Sequence, residues 1–229
     1  MKTLGLLGGM SWESTQTYYR LLNQQVAQRL GGLHSAKVIL DSLDFADVEA
    51  LQREEQWEAL ADLLVKHALR VEAAGADGLI IATNTMHRVA PQVEAALSIP
   101  LLHIADATAQ ALREDGVQTV GLLGTRFTME QAFYRERLET QGITVLVPND
   151  TQREEVHQII YQELCRGVLD KNSRAAYLDV VEDLHRRGAT GVILGCTEIG
   201  LLIKQHDTTV ALYDTTFLHA KSGVEWALA

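Results

Sequence analysis

The sequence predicts an α/β protein made of two similar halves, each a parallel sheet flanked by helices. Three observations carry this. Short apolar runs alternate with longer amphipathic stretches along the whole chain. The phrase GADGLIIATN at 75–84 returns as GATGVILGCT at 188–197, an offset of 188 − 75 = 113. A second pair, TLGLLGGMSWESTQTYYRLL from Thr3 and TVGLLGTRFTMEQAFYRERL from Thr119, repeats at an offset of 116.

In chain order, the strands expected in the first half are TLGLLG from Thr3, KVILDSL from Lys37, GLIIA from Gly78 and LLHI from Leu101. The second half offers TVGLLG from Thr119, TVLV from Thr144, GVIL from Gly191 and VALY from Val210. Each is a brief apolar run, as strands covered on both faces require. Between them lie helical patterns such as WEALADLLVKHALRVEAAG and RAAYLDVVEDLHRRG, both closed by glycine. Thr128 with Gln131 and Thr151 with Glu154 fit capping boxes. Strand, helix, strand in regular order implies parallel sheets with helices on both faces. A repeat of more than a hundred residues is too long for a solenoid and points to duplicated domains related by a pseudo-twofold axis. A one-residue shift within the second repeat brings Tyr19-Arg20 over Tyr134-Arg135. The expected division is 1–104 together with a C-terminal helix at 213–229, then 105–212. No Pro-rich or Ser-rich linker marks the boundary, so close packing with a cleft between the halves is expected.

Composition narrows the function. The chain has 229 residues, 47% hydrophobic and 22% charged, with a formal net charge of −10. That charge argues against a nucleic-acid partner. No apolar run approaches the roughly 20 residues that span a bilayer, and the first residues do not read as a signal peptide. Two cysteines, Cys165 and Cys196, fit a reducing cytosol. Cys165 reads as the apolar side of a helix. The eight histidines show no metal-binding spacing; His87 and His103, near expected strand ends, read as structural. GLLGGM has Gly-x-x-Gly-Gly rather than Gly-x-Gly-x-x-Gly, which argues for a tight turn near a small ligand instead of dinucleotide binding.

Ligands of open parallel sheets sit beyond the carboxyl ends of the strands. Thr83 and Cys196 occupy equivalent ends, each before a helical start. Free backbone N–H groups there attract a carboxylate, and the same positive end is expected to lower the thiol pKa of Cys196. Two proton-transferring groups on opposite faces of one carbon make a racemase. A threonine hydroxyl is a poor acid and a poorer base, and Thr83 also suits a helix N-cap.

ATNTMH from Ala82 and GCTEIGLL from Gly195 resemble the two signatures of the aspartate/glutamate racemase family. GLLGGMSWEST and LLGTRFTMEQAFYRERL add to the likeness, which is closest to the bacterial L-aspartate/glutamate-specific members. The resemblance implies a cytoplasmic, homodimeric isomerase that needs no pyridoxal phosphate, metal or nucleotide, with its site in the interdomain cleft. The family places a cysteine in each signature; Thr83 departs from this, as in some L-specific members. It further implies that Asn84, Thr85, Thr197 and Glu198 bind the α-carboxylate and ammonium groups, although Glu198 also suits a helix-dipole role. Met10 would line the cleft, and Thr125 and Thr128 would add hydroxyls. Gln52 or Arg53, or less directly Arg166, would meet the side-chain carboxylate. Two alternatives stay open: a related isomerase or decarboxylase of small dicarboxylates, and a catalytically silent amino-acid-binding protein.

Overall fold

The first strand, β1 (Leu4–Gly8), is buried along its whole length, because helices cover both faces of its sheet. The computed structural model describes residues 1–229, and these divide into two units, 1–104 with 219–229 and 105–218. In the first unit β1 leads to α1 (Trp12–Leu30), β2 (Val38–Ser42), α2 (Phe45–Arg53), α3 (Trp57–Ala73) and β3 (Gly78–Ile81). A 3-10 turn over Thr85–Val89 and α4 (Ala90–Ala96) follow. The strands are parallel in the order β2-β1-β3, with Leu4 beside both Val38 and Gly78.

Alternation along β1 and β3 sorts the core into two layers. Leu4, Leu6, Ile80 and Ala82 pack with Tyr18, Leu22 and Val26 of α1 and with Ala220, Val224 and Ala227 near the C-terminus. Leu7, Leu79 and Ile81 pack on the other side with Val48 of α2 and Leu60, Leu64 and Val71 of α3. Each fully buried Leu or Ile contributes about 1.5–3 kcal/mol to the unit's stability. After β1 the chain turns at Gly9 (φ 86°), where an added Cβ would collide with the Leu43 carbonyl oxygen. Glycine is therefore required there on both conformational and steric grounds.

The second unit contains α5 (Ile104–Glu114) from Ala105 on, β4 (Thr119–Gly124), α6 (Arg126–Glu130), α7 (Ala132–Glu139), β5 (Thr144–Leu146) and α8 (Asp150–Gln162). It continues through α9 (Lys171–Arg186), β6 (Gly191–Gly195), α10 (Ile199–Leu202), β7 (Ala211–Asp214) and α11 (Thr215–Leu228). Its sheet is parallel in the order β5-β4-β6-β7. The first three strands repeat the order of the other sheet. The remainder of α11, from His219, belongs to the first unit.

Some expectations need correction. LLHI at 101–104 is not a strand. It makes one parallel bridge, Leu101 to Leu79, with Leu79 N–H donating to the Pro100 carbonyl and Leu102 N–H to the Leu79 carbonyl. Pro100 has no N–H to extend the ladder, and the chain enters α5 at Ile104. The repeat also keeps its offset of 116 through the first helix. Tyr18 and Leu22 are buried as Tyr134 and Leu138 are, whereas Tyr19 is exposed. The Thr128–Gln131 box is absent: Thr125 caps α6 by accepting from the Thr128 N–H. The box at the start of α8 is Asn149 with Gln152, two residues before Thr151.

Candidate functional site

In the second unit the chemistry gathers where β6 ends. Gly124 and Gly195 are the last paired residues of β4 and β6. A Cβ on Gly195 would stand 2.7 Å from the Leu123 carbonyl oxygen, so only glycine lets the strands run together this far. Cys196 follows at once, 9% exposed. Its Sγ–H donates to Glu198 Oε2 over 3.0 Å, and the Thr197 hydroxyl donates to the same oxygen over 2.7 Å. Glu198 is 2% exposed, so these two donors satisfy one of its carboxyl oxygens in a low-dielectric setting.

Burial, and after it the Glu198 carboxylate, push the Cys196 thiol well above its ordinary value. This overturns the expected lowering by a helix N-terminus. The helix concerned, α10, has only four residues and starts three residues after the cysteine. A single turn supplies little of the macrodipole, and the adjacent anion outweighs it. The S–H···O line gives the thiol proton one buried acceptor, the Glu198 carboxylate.

In the first unit Ala82 is still in the ladder, its N–H donating to the Leu7 carbonyl over 2.9 Å. The Ser14 hydroxyl reaches the Ala82 carbonyl at 3.4 Å. Thr83, partly exposed, comes next. It is not a helix cap, because the 3-10 turn starts at Thr85 with Asn84 before it. His87 Nδ1 lies 2.8 Å from the Thr83 carbonyl oxygen.

The sequence profile of the Asp/Glu/hydantoin racemase family matches residues 7–223. This chain belongs to that family. A solved Yersinia pestis structure assigned to the Asp/Glu racemases is 53% identical, covers 100% of both chains and superposes with a TM-score of 0.93. An aspartate racemase homologue from Pyrococcus horikoshii is 36% identical over 100% of both chains, with a TM-score of 0.85. The broad specificity amino-acid racemase RacX of Bacillus subtilis is 24% identical over 99% of this chain and 98% of its own.

Other residues named from the racemase resemblance fall as follows. Asn84 and Thr85 are buried beside Thr83, and Thr197 and Glu198 beside Cys196. Thr125 and Thr128 are buried at the end of β4, their hydroxyls 3.2 Å apart. Met10 is part of the apolar core with Leu7 and Leu43. Gln52 is buried on α2, with its amide nitrogen 4.0 Å from Met86 Sδ. Arg53 points outward, its side chain 64% exposed and paired with Glu49 at 2.7 Å. Arg166 is exposed in a 3-10 turn over Leu164–Arg166. Cys165, in the same turn, packs partly against the core. Two features escaped the sequence reading. Ser11 caps α1 from the turn after β1, a hydroxyl before a helical run that could have been noticed. His219 is fully buried against Tyr18 and His87, and no local pattern marks it.

Proposed function

We propose that this chain is a cofactor-independent amino-acid racemase acting on aspartate or glutamate and favouring the L enantiomer. The observation that carries the reading is the pair of equivalent strand ends, Thr83 after β3 and Cys196 after β6, with the thiol hydrogen-bonded to the Glu198 carboxylate. Family membership and the descriptions of the relatives support the substrate class. In the proposed reaction Glu198 accepts the Cys196 proton, leaving a thiolate. The thiolate removes the α-proton of the L amino acid, and the electron pair is delocalised into the substrate carboxylate. A proton then returns to the opposite face from Thr83, or from a water that it holds. Because a hydroxyl is a weak acid and a weaker base, this return is the slow direction.

The substrate is held by Asn84, Thr85, Thr125, Thr128 and Thr197, whose short polar side chains lie at the carboxyl ends of β3, β4 and β6. Gln52 is better placed than Arg53 for the side-chain carboxylate, since Arg53 faces solvent against Glu49. The test is to incubate each enantiomer of aspartate, glutamate and alanine in deuterated water, following α-proton exchange and optical rotation together. Exchange of the L dicarboxylates faster than their inversion is expected, with alanine slow. No exchange with any of them would refute the reading and leave an amino-acid-binding protein.

A further inference from the structure

His87 is fixed at both ring nitrogens. Its Nδ1 stands 2.8 Å from the Thr83 carbonyl oxygen, and its Nε2 stands 3.3 Å from the Ile104 backbone nitrogen. A carbonyl can only accept and a backbone N–H can only donate. The two contacts together therefore describe one species, the neutral imidazole with its proton on Nδ1. The ring is buried at 1% exposure. His103 lies edge-on to it at 4.4 Å between centroids, and His219 does so at 5.8 Å.

The segment that supplies the Ile104 amide is itself tied down. His219 Nε2 donates to the Leu102 carbonyl over 2.6 Å, and its Nδ1 is hydrogen-bonded to the Tyr18 hydroxyl over 2.8 Å. Leu102 N–H in turn donates to the Leu79 carbonyl of β3 over 2.8 Å. The end of β3 is thus connected to α1, to α11 and to the segment before α5. The second half is built differently. The position equivalent to His87, at 87 + 113 = 200, is Gly200, and the Cys196 carbonyl accepts from the Ile199 backbone N–H at 3.1 Å. A side chain anchors the main chain at Thr83, and the backbone alone does so at Cys196.

We propose that His87 is a positioning residue for the face on which the proton is returned: its Nδ1–H holds the Thr83 main chain and so sets where the Thr83 side chain stands, without touching substrate. This role rests on the racemase reading above. A weak donor such as a hydroxyl depends heavily on geometry, and a misplacement of about 1 Å costs about 100-fold. Thiolate attack at Cys196 does not depend on this anchor.

Two substitutions separate the ring nitrogens. His87→Asn puts an amide N–H close to the Nδ1 position and keeps the donor to Thr83. His87→Gln puts its amide close to Nε2, keeping a partner for Ile104 and losing the donor. In deuterated water, His87→Gln is expected to exchange the α-proton of L-aspartate or L-glutamate within about twofold of the unsubstituted protein while inverting it about 10- to 100-fold more slowly. His87→Asn is expected to keep the ratio of inversion to exchange within about threefold. Nitrogen-15 NMR of the unsubstituted protein at neutral pH is expected to show His87 with a protonated Nδ1 and an unprotonated Nε2, a readout that needs neither activity nor a folded variant. An Nε2–H tautomer or an imidazolium would overturn the proposal. So would a His87→Gln protein that leaves the partition unchanged or loses exchange and inversion by one common factor. Absence of exchange in the unsubstituted protein would overturn the racemase reading and this role with it.

Discussion

Replacing Glu198 by Gln sets two consequences of one carboxylate against each other. The substitution is nearly isosteric, and Oε1 can still accept from Cys196 and Thr197, so packing survives. The negative charge disappears from a point 3.0 Å from the sulfur. At an effective dielectric constant of about 20 that charge is worth about 5.5 kcal/mol against a thiolate. If the carboxylate did nothing but disfavour the thiolate, its removal would accelerate proton abstraction. If it is the acceptor of the thiol proton, its removal takes away a general base, a loss of about 10²- to 10⁴-fold. The proposed mechanism requires the second effect to win. Proton NMR of L-aspartate in deuterated water should show α-proton exchange at least about 100-fold slower in Glu198→Gln. Alkylation of Cys196 by iodoacetamide, resolved from Cys165 by mass spectrometry, should slow with it, because both reactions draw on the same thiolate. Exchange that stayed equal or rose alongside the alkylation rate would refute the assignment of Glu198 as the proton acceptor.

Further outcomes follow from the same geometry. Cys196→Ser should abolish exchange while the fold persists by circular dichroism, and Cys165→Ser, a near-isosteric change at a residue partly buried against the core, should keep activity within about twofold. Thr83→Cys should gain activity on D-aspartate and D-glutamate and narrow the gap between exchange and inversion; an unchanged preference in chiral chromatography would contradict the unequal-face account. Because burial raises the Cys196 thiol in the fold, the unfolded chain ionises first and stability should fall as pH rises above about 8.5. Urea titrations should find that loss, up to about 1.4 kcal/mol per pH unit, shallower in Cys196→Ser, and identical slopes would speak against it. Gly9→Ala, forced into φ 86° against the Leu43 carbonyl, should lose roughly 2–4 kcal/mol and show a lower melting temperature.

The duplicated α/β plan was readable because both halves repeat the same apolar runs, and buried parallel strands tolerate little else. The sites of Thr83 and Cys196 followed from the alignment of GLIIATN with GVILGCT. The fourth strand of the first half was misread because LLHI is apolar, while the proline before it, which limits the ladder, carries no apolar signal. The one-residue slip at Tyr19 arose from matching the letters Tyr-Arg instead of the burial phase: Tyr18 and Leu22 lie one turn apart on the covered face, as do Tyr134 and Leu138. The thiol's environment was out of reach for another reason. A strand end before a helix suggests a positive pole, but the length of that helix and the direction taken by Glu198 are decided by tertiary packing. His219 was out of reach for the same cause, standing 201 residues from the Tyr18 hydroxyl it bonds.

The return of α11 to the first unit bears on the order in which the protein can form on the ribosome. Ala220, Val224 and Ala227 complete the layer over Leu4, Leu6 and Ile80, and the Trp226 ring lies over Gly78. The strands synthesised first are therefore covered by residues synthesised more than a hundred positions later. The second unit has all its own residues once Leu218 has emerged, so it can close while the amino-terminal sheet still exposes one apolar face. During translation that sheet is a natural client for chaperones, and a stop codon just before His219 would leave it permanently uncovered.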